Sequence, residues 1–326
     1  MKKSSALALA VVAVAAALSI GHTAHAQDKW PAKSVIVIVP QAPGGSNDAV
    51  PRIVGQKMSE LIGQVVVIDN RPGAGGNIGT AAAARAPKDG HTLMITLSSA
   101  HVVNPWLYRN PGFDPVKDFE PVTPLAVGTY LLVSSTQFPA KNVKELIAFA
   151  KSKPGEIQYA SAGNGTLNHL LGEMLKTSAH IDIQHVPFKG ASASVTDVVA
   201  GRIPISFQSM PSALPFMQAG KVRVLAVANE KRVKALPDVP AISETIKGYG
   251  ATPWYGLLAP AGTPKSVIAQ IHAAAVMAVT APDVQQKLAT QGAEPWTRTP
   301  EQFAAIIKSE LPVWQKIVKD SGATVD

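Results

Sequence analysis

Apolar residues recur along this chain in two alternating rhythms. Short runs dense in Val, Ile and Leu, of buried-strand length, are separated by stretches in which apolar positions fall three and four apart, as on one helix face. The strand-like runs lie at 35–39, 65–68, 92–97, 130–134, 157–160, 183–186, 203–207, 222–227 and 254–258. The helical pattern is clearest after Asp48, where Val50, Ile53, Val54, Met58 and Leu61 share a face and Pro51 is expected in the first turn, where its missing N–H does no harm. It returns after Thr166 with Leu167, Leu170, Leu171, Met174 and Leu175. Beyond Pro264 the pattern is almost wholly helical, through 267–278, 284–288 and 303–318, and this tail is expected to pack back on the first domain. Such alternation predicts an α/β fold with two mixed, largely parallel sheets, flanking helices and a helical C-terminal segment.

The rhythm breaks twice, in the proline-studded stretch 105–124 and again at 248–253. Two breaks predict two crossings between domains, one built from 27–126 plus 251–326 and the other from 127–250. Paired crossings make a hinge, and open α/β sheets receive ligands at the carboxyl ends of their strands, so a cleft is expected between the two domains.

The first 26 residues change the setting. Lys2 and Lys3, an apolar run at 6–20 and the triplet Ala24-His25-Ala26 have the layout of a secretory signal peptide, with cleavage expected near Ala26/Gln27 and the mature chain in the periplasm. The competing reading, an uncleaved anchor, is disfavoured because the run falls short of the ~20 apolar residues a span needs. The chain has no cysteine, which excludes disulfides, thiolate metal sites and a cysteine nucleophile. Stability must come from burial, which 326 residues at 46% hydrophobic content can supply. The formal charge is +8, and loss of Lys2 and Lys3 with the leader leaves +6. The densest basic patch is only Lys231, Arg232 and Lys234, and aromatics are 6%, so no nucleic-acid partner is expected.

Candidate chemistry gathers in small-residue turns between strand and helix. In the first, Gln41, Ala42, Pro43, Gly44, Gly45, Ser46, Asn47 and Asp48 form a glycine-containing turn that opens a helix. Free N–H groups at a helix start attract anions, so a carboxylate suits this turn, although Ser46, Asn47 or Asp48 could equally serve as an ordinary cap. The second, Ser161, Ala162, Gly163, Asn164, Gly165 and Thr166, is its counterpart in the other predicted domain. His169 just beyond it is either a donor to the ligand or a local packing group. Two such loops, one per domain, can grip opposite sides of one ligand.

A third cluster, from Asn70 to Gly79, suggests a dinucleotide fingerprint but fails it. Gly73 and Gly75 are followed by Ile78 where a third glycine is needed, and no acidic residue stands about 20 positions on at a strand end. Asn77 in this cluster remains a ligand candidate. Ser98, Ser99 and His101 follow one strand, and Phe207, Gln208 and Ser209 end another, at positions that rim the expected cleft. No hydrolase elbow, zinc helix or phosphate loop is present. His169 and Glu173 alone make a poor metal site. A Ser161–His169 pair without an evident orienting acid and oxyanion hole makes a poor hydrolase.

The string from Val39 to Asp48, the run Arg71-Pro72-Gly73-Ala74-Gly75-Gly76-Asn77-Ile78-Gly79, the segment Tyr159 to Gly165 and the pair His169-Leu170 resemble the Bug family of receptors associated with tripartite tricarboxylate transporters. So do Val186-Pro187-Phe188-Lys189-Gly190, Leu236-Pro237-Asp238-Val239-Pro240 and Ala259-Pro260-Ala261-Gly262-Thr263-Pro264, which spreads the likeness over the whole mature chain. The resemblance implies a two-lobed, type II periplasmic-binding-protein-like fold that closes on a carboxylated solute. It also implies no catalysis, no cofactor, no metal, a monomer, and delivery to a membrane permease. By position the ligand loops are 42–48 and 161–169, with backbone N–H groups and bridging waters as the donors. The sequence departs from the family's pattern at Gln41, where an aromatic is usual, and at Gln208, where an aspartate is often found. Loss of that negative charge favours a non-amino carboxylate, a dicarboxylate or an aromatic acid. A sensing partner of a signalling protein and a hydrolase on the same scaffold are the alternatives.

Overall fold

The computed structural model describes residues 30–43, 46–321 and 325. The leader and its cleavage site, Gly44 and Gly45 lie outside the described residues.

Eleven strands among the described residues form two sheets. The first has the order β11-β4-β10-β3-β1-β2, from β1 (Val35–Val39), β2 (Val66–Asn70), β3 (Thr92–Leu97), β4 (Phe119–Gly128), β10 (Trp254–Pro260) and β11 (Ala293–Pro295). The second runs β7-β6-β8-β5-β9, from β5 (Tyr130–Ser135), β6 (Ile157–Ser161), β7 (Ile183–Pro187), β8 (Ile205–Ser209) and β9 (Val222–Val227). Strands inside the sheets are largely buried because both faces are covered. All seven residues of β10 are buried, whereas the edge strand β2 leaves Val67 exposed.

The expected mixed α/β class is what the structure shows, with a larger antiparallel share than the β/α rhythm predicts. Among the described residues four strand pairings are parallel and five antiparallel. Each sheet keeps a parallel trio, β2-β1-β3 and β7-β6-β8, made by helical crossovers. The chain then enters each sheet from the other one, and the entering strands β5 and β10 run against the trio.

Nine helices concern the argument: α1 (Ser46–Ile62), α2 (Asn77–Ala84), α3 (Val143–Ser152), α4 (Leu167–Ala179), α5 (Ala191–Val199), α6 (Met210–Gln218), α7 (Lys265–Thr280), α8 (Pro282–Thr290) and α9 (Pro300–Ser321). Because α1 begins at Ser46, Pro51 is its sixth residue and lies beyond the first turn expected for it. The helix therefore lacks the donor that would bond the Asn47 carbonyl. The C-terminal helices pack as expected on the first sheet, α7 against α1 and β4, and α9 against β4. Helix α9 also reaches α4 beside the second sheet and so touches both halves.

Two strands escaped the sequence pattern. β4 begins within the stretch read as a break and runs on past it, disguised by Pro121 and Pro124. Both prolines sit where the pairing with β10 shifts register, Pro124 opposite Gly256 and Pro121 opposite Leu258, and a proline tolerates a bulge where it would break a regular ladder. β11 is only three residues long. The strand expected at 203–207 begins two residues later, at Ile205.

The chain leaves the first sheet after Gly128 and regains it at Trp254. At the crossing, Gly128 N donates to Pro253 O at 2.7 Å and Thr129 N to Gly292 O at 2.9 Å. Asn229 joins the outward and return strands through its side chain.

Candidate ligand cleft

A cavity of about 390 Å³ opens between the two sheets, at the carboxyl ends of the parallel trios. Its wall is built from the first turns of four helices. Ser46 and Asn47 come from α1; Thr166, Leu167 and Asn168 from the start of α4; Ala191 and Ser192 from α5; Ser209 and Ser212 from the start of α6. Unpaired N–H groups and the positive end of the peptide dipole concentrate at such first turns, so four of them facing one space favour an anion. The remaining wall comes from Gln41, Ala42, Pro43, Gly75, Leu97, Ser99, Tyr130, Ala162, Gly165, Lys189 and Gly190. Among the described residues of this wall there is no carboxylate and one ammonium, that of Lys189.

The amide oxygens of Gln41 and Asn47 are buried without a partner among the described residues. Asn168 donates to Phe207 O at 2.5 Å, which ties the start of α4 to the end of β8. The Lys189 loop is joined to the 161–166 loop by Phe188 N to Ser161 O and Gly190 N to Ala162 O, both 3.1 Å. Gly190 has φ of 106°, a conformation that favours glycine.

Of the residues singled out in the sequence, Gln41, Ala42, Pro43, Ser46, Ser99, Ala162, Thr166 and Ser209 line this cavity. Others lie behind it. Asp48 is buried, accepting from Asn70 Nδ2 at 3.0 Å and paired with Arg52 at 2.9 Å. Asn77 is buried and accepts from Asn104 Nδ2 at 2.7 Å. Ser98 and Phe207 are core residues, and Asn164 is exposed. Gly163 braces its own loop, its carbonyl accepting from Thr166 Oγ1 at 2.7 Å. His101 is fully buried among Phe113, Phe119 and Trp254, and desolvation lowers its pKa to about 4.

His169 is turned away from the cavity, with Gly165 N donating to its Nδ1 at 3.2 Å. Ser161 is fully buried, and its hydroxyl lies 2.6 Å from Nε2 of His185 rather than near His169. Gln208 is also fully buried. Its Nε2 donates to Ser194 Oγ and Ser206 Oγ, both at 2.7 Å. Those hydroxyls spend their own protons on Ala191 O and Ala160 O, so the orientation of the Gln208 amide is fixed. Gln208 does not line the cavity, and its Oε1 is buried without a partner among the described residues.

Sequence reasoning missed Asn47 and Asn168 as lining residues, although both stand in the loops it chose, and it missed Lys189, Ser192 and Ser212. The signal was available. Phe188-Lys189-Gly190-Ala191-Ser192 and Ser209-Met210-Pro211-Ser212 repeat the order of strand, small residues and helix that drew attention to the first two loops. Among the described residues no group of three or more His, Cys, Asp or Glu could hold a metal, and no single helix is long and apolar enough to cross a membrane.

Residues 50–323 match the model of the tripartite tricarboxylate transporter family receptor. The chain belongs to this receptor family. Three solved structures share the fold. An R. palustris protein solved with adipate is 33% identical with a TM-score of 0.84, over 91% of this chain and all of that one. The periplasmic binding protein BugD is 32% identical with a TM-score of 0.81, over 90% and 99%. MatC from Rhodopseudomonas palustris, with bound malate, is 31% identical with a TM-score of 0.79, over 89% and 100%. The resemblance to Bug proteins is thereby borne out, and the receptor is a solute-binding protein rather than an enzyme. The hydrolase alternative falls with that assignment.

Proposed function

We propose that this receptor captures a small dicarboxylate in the periplasm and hands it to the membrane permease of a tripartite tricarboxylate-type transporter. The observation that carries the reading is the wall of the 390 Å³ cavity: four helix first turns, Lys189 and no carboxylate. This volume suits a small-molecule site. Anion-binding positions stand on both sides of it, α1 on the side of the first sheet and α4, α5 and α6 on the side of the second, which supports two carboxylates over one. Adipate and malate, bound by two of the relatives, are both dicarboxylates. An aromatic acid fits less well, since Leu97, Tyr130 and Leu167 are the only large apolar or aromatic groups among the described lining residues. The absence of an acidic partner for an ammonium group argues against amino acids.

In this reading the leader is cleaved near Ala26/Gln27 and the mature chain works as a monomer. Its lobes, 27–126 plus 251–326 and 127–250, close about the crossing at Gly128–Tyr130. Isothermal titration with succinate and with aspartate, which differ by one amino group, tests the ligand class. Succinate is expected to bind more tightly, and a clear preference for aspartate would overturn the reading.

A further inference from the structure

Beneath the loop that brings Ala162, Gly165 and Thr166 to the cavity lies a pair of stacked imidazoles, one buried and one half-buried, that does not line it. The ring of His169, on α4, stacks on that of His185, on β7, with centroids 4.0 Å apart and planes at 18°. Tyr159, on β6, also stacks on His185, at 5.0 Å. Each imidazole meets the loop with one nitrogen. Gly165 N donates to His169 Nδ1 at 3.2 Å, and His185 Nε2 lies 2.6 Å from Ser161 Oγ, which itself accepts from Gly163 N at 3.0 Å. The stack therefore touches the loop near both ends.

We propose that the His169–His185 stack is the positioning element of the cleft, holding the 161–166 loop in its ligand-receiving shape while His169 is neutral and releasing it when that ring takes up a proton. The inference rests on the cavity being the ligand site, but the loop's attachment can be measured without ligand.

The geometry demands neutrality. His169 Nδ1 is an acceptor, so the ring proton sits on Nε2, facing Glu173 at 3.9 Å. A proton on Nδ1 would cost the Gly165 amide its acceptor, and two cations stacked at 4.0 Å would repel. The surrounding charges are few. Glu173 favours a charged His169 but is already held by Tyr159 Oη at 2.6 Å and by Lys176 at 2.9 Å, and Lys176 opposes any further positive charge. Tyr249 packs from the return segment with its hydroxyl on Leu171 O, and Glu310 of α9 is engaged by Trp254. Burial lowers the pKa of both imidazoles, that of His185 to about 3. Gly172 makes the close packing possible, since a Cβ there would stand 2.1 Å from the Tyr159 ring.

The test compares wild type, His169→Asn and His169→Phe in the mature chain. Asn keeps an acceptor near the Nδ1 position and cannot be protonated, whereas Phe keeps a stacking ring without the acceptor. The first readout is the hydrogen-exchange protection of the Gly165 amide. Phe is expected to lower it by roughly tenfold, the effect of losing one buried hydrogen bond, and Asn to preserve it. Between pH 8 and pH 4 protection should fall in wild type and stay level in the Asn variant, a comparison that holds even if the Phe variant fails to fold. The second readout is affinity for adipate, expected to follow the same order. Unchanged Gly165 protection in a folded Phe variant, or equal acid sensitivity in wild type and Asn, would overturn the proposal. Failure of wild type to bind adipate would count against the ligand reading while the exchange data still decide the role of the stack.

Discussion

Asn229 holds Tyr130 in place where the chain crosses between the two sheets: its Oδ1 accepts from Tyr130 N at 3.0 Å, while its Nδ2 donates to Gly128 O at 2.8 Å. One side chain, just beyond the end of β9, thus satisfies a backbone group at the end of β4 and another at the start of β5, on either side of Thr129. Tyr130 also lines the cavity proposed as the ligand site, so the same contact links the crossing to that cavity. Asn229→Ala leaves a buried N–H and a buried carbonyl without partners, and a loss of about 1–3 kcal/mol is expected for each group. Urea denaturation should show the destabilisation, and a stability equal to wild type would contradict this role.

Glu310 supplies a pH-dependent term of the opposite sign to a surface carboxylate. Burial is the main cause that raises its pKa to about 7, with Glu230 adding to the shift and the Trp254 indole N–H, 3.0 Å away, opposing it. A carboxyl whose folded pKa exceeds its unfolded value contributes stability at low pH and loses it as the pH rises through the folded value. Glu310→Gln keeps an acceptor for Trp254 and has no charge to bury. The variant should melt higher than wild type at pH 8 and almost equally at pH 5, and the reverse order would contradict the assignment.

Lys189 is exposed and forms none of the ion pairs found among the described residues, so its replacement should leave the fold alone. Lys189→Gln is expected to weaken dicarboxylate binding by roughly tenfold, the scale of one charge-assisted hydrogen bond, and to flatten the dependence of affinity on salt. Titration at two ionic strengths checks both effects, and unchanged affinity with an unchanged salt slope would remove Lys189 from the site.

How far the sequence could be read follows from where each signal was local. β1, β3 and β10 were visible because a strand covered on both faces is an unbroken apolar run. β4 was not, because Pro121 and Pro124 advertise a break and only the bulged pairing with β10 makes them acceptable. Gln41, Ser46, Ala162 and Thr166 were found at the cavity by the turn chemistry before α1 and α4. The same chemistry before α5 was read as motif and not as site, and a lone lysine in a turn has no periodicity to mark it. His169 was recognised as important for a contact it does not make. Its Nδ1 faces Gly165 and its ring faces His185, a relation between β7 and α4 that no spacing along the chain encodes.

The most direct test of the central claim is a thermal-shift panel on mature protein stripped of co-purified ligand, with mono-, di- and tricarboxylates, aromatic acids and amino acids. A ligand that binds only the native state at a hundred times its Kd adds about 2.7 kcal/mol of stability, enough to read as a raised Tm. The account predicts that dicarboxylates form the responding class and that Lys189→Gln blunts the response. Stabilisation by amino acids with none by dicarboxylates, or no response to any carboxylate, would contradict it.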